Sequence, residues 1–349
     1  MKNVIKTVCV IIGTIIGAGF ASGREIYLFF CKYGIYGFLG IIVSSVFTGI
    51  IIYKVFSHLK GRDVKGYNEF LEILNIPNHI KNFINIIINT FLLISFYVMI
   101  AGFCAYFKQE LNMAPIITGV VICAICYLTF LNKMDGVMKI NTIMIPFLIF
   151  MICIIGVKSN LLNIQFQGLK VSQNTDWFLA SLEYASYNSI ILIPILIGLE
   201  KSAKGKEKII SASLTIIILI LSAILYGILL KQDVNLQNIE IPLIYAVWKL
   251  GKGYAYIYGF VIVLAIFTSA VSAGYGFLQN CSTTKKGYKR LSLFICTSAI
   301  FVSGIGFSKL VDLLYPVFGV IGLLQVIIIL LKRKAKRKAK YWKKGRKLI

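Results

Sequence analysis

The residues able to do chemistry in this chain are few, and they cluster where backbone should lie bare. Residues 13–25 read GTIIGAGFASGRE, with four glycines (Gly13, Gly17, Gly19, Gly23), then Ser22 and a charged pair, Arg24 and Glu25. Apolar runs, 4–12 and 26–30, flank the stretch. A glycine costs a helix interior about 1 kcal/mol relative to alanine, so this clustering predicts an unwound break inside a spanning helix. The ends of such a break expose N–H groups that suit an anion, such as a carboxylate, and C=O groups that suit a cation. Bare backbone at membrane depth is tolerated only where protein buries it or where it lines a cavity. Close packing through small residues accounts for Gly-x-x-x-Gly spacing, but not for Ser22, Arg24 and Glu25 directly behind it.

Two further stretches carry polar groups at mid-span. Ala185-Ser186-Tyr187-Asn188-Ser189 interrupts an apolar run, with Pro194 after it and Glu183 just before it. The sequence predicts a second break there. Farther on, Thr268 and Ser269 follow Ala265 by one helical turn. Two hydroxyls and a carbonyl one turn earlier make a hard-oxygen cluster of the kind small cations take. The alternative is that the hydroxyls bond back to their own helix. Ionisable groups inside spans are functional candidates by default, and Arg24, Glu25 and Glu183 are the ones here. Asn85 and Asn89, one turn apart, suit hydrogen bonds between helices.

The elements that must position these groups are membrane helices. The chain has 349 residues, 58% of them hydrophobic, and a mean hydropathy of +0.84. Runs of about 20 apolar residues, each long enough to cross a bilayer, recur along its length. The expected spans are 4–33 (broken), 34–56, 80–107, 115–130, 140–157, 177–199, 209–230, 254–279, 291–306 and 313–331. Short helices are expected at 67–74 and 242–250. The expected fold class is therefore all-α integral membrane with about ten transmembrane helices. It forms one domain over 1–331, with no sizeable soluble module, followed by a basic tail at 332–349. Breaks in helices 1 and 6 lie an odd number of spans apart. That predicts a 5+5 inverted repeat (about 1–157 and 177–331) with solute bound at the repeat interface.

Charge sets the orientation. Of 37 lysines and arginines, 28 fall on the side of the termini and 8 on the other, with Arg24 inside a span. Without the tail the comparison is still 17 against 8. Positive charge stays inside, so both termini are expected in the cytoplasm of a cell membrane, bacterial by its resemblance below. The tail KRKAKRKAKYWKKGRK begins where the last span ends. It is read as binding anionic lipid headgroups and not nucleic acid. The eight cysteines, including Cys123 and Cys126 in C-x-x-C, lack a companion pair or histidine and read as apolar filler. The basic, apolar N-terminus has the outline of a signal peptide, but cleavage near Gly17–Gly19 would destroy the first span.

These features together resemble the amino acid–polyamine–organocation (APC) superfamily with the LeuT-type fold, over nearly the whole chain up to about Leu331. Within it the chain most resembles the YkvI-like bacterial membrane proteins, whose first helix carries a similar G-A-G-F-A-S-G stretch. Gly13, Gly17 and Gly19 match the Gly-x-x-x-Gly-x-Gly of LeuT-type sodium transporters. The resemblance implies a sodium site formed by the Gly13 and Ile16 carbonyls with Ala265, Thr268 and Ser269. It implies substrate contacts from Gly17, Ala18, Gly19, Ser22, Ser186, Tyr187 and Asn188, with Tyr97 as a covering aromatic. It also implies an outer gate at Arg24, with Glu25 and Glu183 nearby. Phe20 stands where transporters with a second sodium carry asparagine, which argues against a second ion. Proton-coupled relatives place a lysine from helix 5 in the sodium position, and Lys139 is the nearest equivalent.

The expected function is secondary transport of a small organic solute, an amino acid or related compound, by sodium-coupled symport. Proton coupling and a nutrient-sensing role of the germinant-receptor type are the alternatives. No nucleotide-binding loop or metal-ligand set points to an ATP-driven pump or an enzyme, and no cofactor beyond sodium is expected. The topology is directly testable. Reporter fusions after Ile349 and within 158–176 should report opposite sides of the membrane, and the same side for both would overturn the ten-span arrangement.

Overall fold

Long apolar runs become helices here because a helix satisfies its own backbone hydrogen bonds without water. The computed structural model describes residues 2–64, 66–74, 76–159, 176–232, 239, 241–282, 284–302 and 307–332. Its helices are α1 (Lys2–Ile15), α2 (Ala18–Ser22), α3 (Arg24–Phe29), α4 (Ile35–Leu59), α5 (Tyr67–Ile73), α6 (Asn78–Leu111) and α7 (Pro115–Leu131). They continue with α8 (Lys133–Lys158), α9 (Trp177–Ala203), α10 (Glu207–Leu230), α11 (Pro242–Trp248), α12 (Lys252–Cys281), α13 (Lys285–Val302) and α14 (Phe307–Leu331). All secondary structure among the described residues is helical. Seven helices (α4, α6, α8, α9, α10, α12 and α14) contain segments long and apolar enough to cross a bilayer, and α1 and α7 are shorter apolar helices. The two short helices expected at 67–74 and 242–250 are α5 and α11. All but Lys332 of the basic tail lies outside the described residues, as does most of the loop expected at 158–176.

The most apolar windows of α9 and α12 are each 83% buried, against 39% for α8 and α14. These two helices are therefore central, and their neighbours face outward. α1 packs against α8, α9, α10 and α12, while α9 also packs on α4 and α14, and α12 on α6. Outward-facing side chains such as Phe83, Ile86, Ile116 and Phe301 are exposed. In water that would be a liability; against acyl chains it is the expected surface.

The first break is present. α1 ends at Ile15, Gly17 is extended (φ −94°, ψ −169°), and α2 begins at Ala18. A second bend follows at Gly23, whose φ of +80° lies in the left-handed region that glycine tolerates best. The second expected break is not present: α9 runs unbroken through 185–189 and through Pro194. The polar side chains there do not compete with the helix but bond back into it. Asn188 donates to the Tyr184 carbonyl at 2.9 Å, and the Ser189 hydroxyl to the Ser186 carbonyl at 2.6 Å. Without glycine in the segment, nothing lowers the cost of leaving helical geometry.

α9 and α14 meet backbone to backbone at one point. A Cβ placed on Gly322 would lie 2.4 Å from the Ser186 carbonyl oxygen and 2.6 Å from its carbon. Backbone on α9 cannot yield locally, so Gly322→Val should push the helices apart. The expected loss is about 1–3 kcal/mol, as for other overpacked contacts, read as a lower thermal midpoint in detergent. An unchanged midpoint would mean that the two helices do not approach this closely.

Candidate functional site

The break places unpaired α1 carbonyls opposite α12. The Ser269 hydroxyl lies 3.1 Å from the Gly13 carbonyl oxygen and 3.2 Å from that of Ile16, and donates toward both. A Cβ on Gly17 would fall 3.0 Å from the Ser269 Oγ and 3.3 Å from the Met99 Cε of α6, so α12 and α6 would have to give by a few tenths of an ångström to take one. Thr268 donates to the Ala265 carbonyl at 3.0 Å, and Ser272 to that of Thr268 at 2.9 Å. Thr14 on α1 donates to the Val10 carbonyl and lies 3.1 Å from the Ser272 hydroxyl. Thus Ser269 joins the Gly13 and Ile16 carbonyls, Thr268 pairs with Ala265 one turn away on the same helix, and all five residues are buried. The α12 hydroxyls bond both within their own helix and across to α1.

One residue of this cluster escaped the sequence reading. Asn141 of α8 is fully buried; its Nδ2 donates to the Val137 carbonyl, and its Oδ1 has no partner among the described residues. A Cβ on Gly13 would lie 2.0 Å from that oxygen. An amide near the start of an apolar span was the available signal. Lys139, two residues earlier, is exposed, so it does not occupy the sodium position suggested by proton-coupled relatives.

On the C-terminal side of the break, Ser22 is buried and bonds locally, donating to the Gly19 carbonyl at 3.0 Å and accepting from the Arg24 N–H at 3.3 Å. Arg24 is buried and forks onto Asp312 of α14. Its Nε lies 2.9 Å from Oδ1, and Nη2 pairs with Oδ2. Nη1 also donates to the Ile239 carbonyl at 3.2 Å. Asp312 was missed because it falls one residue before the expected start of span 10. Gly19 sits inside α2 rather than in unwound chain, and the Glu25 carboxyl packs on it, 2.2 Å from where a Cβ would stand, so a side chain there would make Glu25 move. Glu25 is itself buried. Ala18 opens α2, and its side chain lies outside the described residues.

The remaining expected contacts divide. Tyr187 reaches the same region as Glu25, stacking on Phe29 at 5.7 Å between ring centroids. Ser186 and Asn188 are buried on α9, Ser186 with its carbonyl against Gly322 and Asn188 bonded to its own helix. Glu183 is half-buried and packs on Gly319 of α14. Tyr97 does not cover the break. Its hydroxyl lies 2.7 Å from that of Ser298 on α13, whereas Met99 is the α6 residue that meets Gly17. Positions two apart on a helix point about 200° apart, so only one of the pair can face inward.

Fold and site together define a multi-pass, all-helical membrane protein with a broken first helix at its core. No family model matches the chain. It is similar along nearly its whole length to two proteins of Bacillus subtilis (strain 168). One is the uncharacterized membrane protein YkvI, 27% identical over 341 residues that cover 95% of this chain and 96% of the relative. The other is the uncharacterized protein YyaD, 25% identical over 337 residues that cover 93% and 96%.

The Arg24–Asp312 pair carries its own test. Asp312→Asn leaves a buried guanidinium without its counter-charge. The expected loss is about 1–3 kcal/mol, at the low end for a broken buried pair because the Asp312 side chain is 37% exposed. Adding Arg24→Gln should restore part of the thermal stability. A double variant no more stable than Asp312→Asn alone would show that the pair is not coupled.

Proposed function

We propose that this chain is a secondary active transporter of a small organic solute, working by alternating access and coupled to sodium. The observation that carries the reading is the Ser269 hydroxyl of α12 held 3.1 and 3.2 Å from two carbonyls at the α1 break. Non-helical backbone deep in a membrane protein is the sequence and structural mark of a transport site. The donor set is all oxygen, which fits sodium. The Gly13, Ile16 and Ala265 carbonyls and the Thr268 and Ser269 hydroxyl oxygens would hold the ion once the hydroxyl protons turn away. An ion there would tie α1 to α12 and favour the arrangement in which they touch. Solute bound at the same break would favour the same arrangement, and coupling follows from that shared preference. The Arg24–Asp312 fork ties α3 to α14 on the outer side, as a closed gate would.

This reading keeps the LeuT-type arrangement of about ten spans, with one amendment. The break in the first helix acts opposite a continuous α9, not opposite a matching break.

Sodium binding predicts a thermal shift. Sodium chloride, against choline chloride at equal ionic strength, should raise the unfolding midpoint of the wild-type chain in detergent. A ligand at 100 times its Kd stabilises by about 2.7 kcal/mol. Thr268→Ala combined with Ser269→Ala should abolish the sodium increment while the protein stays folded. A sodium increment that survives both substitutions would place the ion elsewhere. Solute uptake into proteoliposomes then separates transport from a nutrient-sensing role, for which binding without uptake is the mark.

A further inference from the structure

Glu25 is the buried acid that the sodium cluster does not use. Its side chain is 2% exposed and its Oε2 has no hydrogen-bond partner among the described residues. Oε1 is folded back onto Gly19, beside the Phe20 backbone N–H at the start of α2. The chain's own carboxyl therefore takes the donor end of the break, where the sequence suggested that a solute carboxylate would sit.

Aromatic rings enclose this carboxyl. Tyr187 lies next to it. Around Tyr187 stand Phe29 at 5.7 Å, Tyr184 at 5.6 Å and Tyr315 of α14 at 4.9 Å, centroid to centroid. The hydroxyls of Tyr184 and Tyr187 are buried and close no hydrogen bond among the described residues. No ion pair among the described residues includes Glu25. The charged and titratable neighbours are accounted for. On α3, Arg24 is forked onto Asp312 of α14, and Tyr27 lies under the Arg24 guanidinium. On α9, Tyr184 and Tyr187 face Glu25, and Glu183 packs on Gly319. On α14, Tyr315 faces it. From α12, the Tyr258 hydroxyl donates to the Ala21 carbonyl.

An ionised carboxylate buried without a counter-charge costs several kcal/mol, and a positive group beside Glu25 would supply that counter-charge. Aromatic faces attract such a group through their quadrupoles, and the two orphan tyrosine oxygens can accept N–H bonds. A quaternary nitrogen would leave those acceptors unmet; a protonated amine would not.

We infer that Glu25, with Tyr184, Tyr187, Phe29 and Tyr315 around it, binds the ammonium group of the solute. The transported compound is then an organic amine held by its positive nitrogen, not by a carboxylate at the α1 break. The inference rests on the transporter reading and names its substrate class.

Dicyclohexylcarbodiimide reports on this site without knowledge of the natural solute, because it modifies protonated carboxyls in apolar surroundings. The full chain in detergent is treated with the reagent, and modification at Glu25 is read by peptide mass spectrometry. Glu25 should be modified in the amine-free protein, and Glu25→Gln should lose that modification. Butylammonium should suppress modification, while butyrate and tetramethylammonium at the same concentration should not. Tyr187→Leu should weaken the butylammonium effect roughly tenfold, as loss of a cation–π face implies, and Tyr187→Phe should keep most of it. An unmodified Glu25, no suppression by butylammonium, or equal suppression by butyrate would each overturn the proposal. The sodium shift, measured on the same preparation, keeps the two readings apart. A sodium shift without amine protection removes only the amine site, and amine protection without a sodium shift removes only the coupling ion.

Discussion

The rest of this structure depends on how it satisfies a handful of backbone groups that its first helix gives up. Inside a bilayer, a carbonyl without a partner costs several kcal/mol. At the α1 break the Gly13 and Ile16 carbonyls are met by one hydroxyl from α12. That single group obliges α12 to run beside the break. It favours glycine at residue 17, since a Cβ there would stand a tight 3.0 Å from Ser269 Oγ. It also draws small hydroxyl residues to both helices, Thr14 on one side and Ser272 on the other. The central position of α12 follows from this need as much as from its apolar sequence.

Much of the architecture was legible in the sequence because membrane helices announce themselves by length and hydropathy. Apart from the breaks in the first, the segments expected to span are helical where they are described, and the two short helices fall where the polar loops predicted them. The α1 break was legible for the same local reason: clustered glycines lower the cost of leaving the helix. The expected break in α9 failed because polarity was read as a breaker. Serine, asparagine and tyrosine at 185–189 keep helical geometry by bonding to carbonyls three or four residues back. Polar residues interrupt a hydropathy profile without interrupting a helix.

The site was legible by residue but not by direction. Ser269 meets the Gly13 and Ile16 carbonyls across the break, while Thr268 bonds to Ala265 within α12. Tyr97 was the right type on the right helix but faces α13, because a shift of two positions turns a side chain away. Asp312 and Asn141 carry chemistry that only three-dimensional contact exposes: a partner 288 positions from Arg24 in the chain, and an amide oxygen aimed at Gly13. Glu25 was found by sequence, but its burial against Gly19 could not be inferred from adjacency to Arg24.

The continuity of α9 has a mechanical consequence. A broken helix can swivel at its joint and leave its far half still; an unbroken one cannot. α1 to α3 contain two such joints, at residues 16–17 and at Gly23, whereas α9 is a single stiff rod from Trp177 to Ala203. A tilt imposed on α9 at one face of the membrane must reappear at the other with opposite sense, as on a seesaw. Because Ser186 touches Gly322 near the middle of both α9 and α14, that contact is where the fulcrum falls. α1 to α3 can bend at their joints, whereas α9 can move only as a whole.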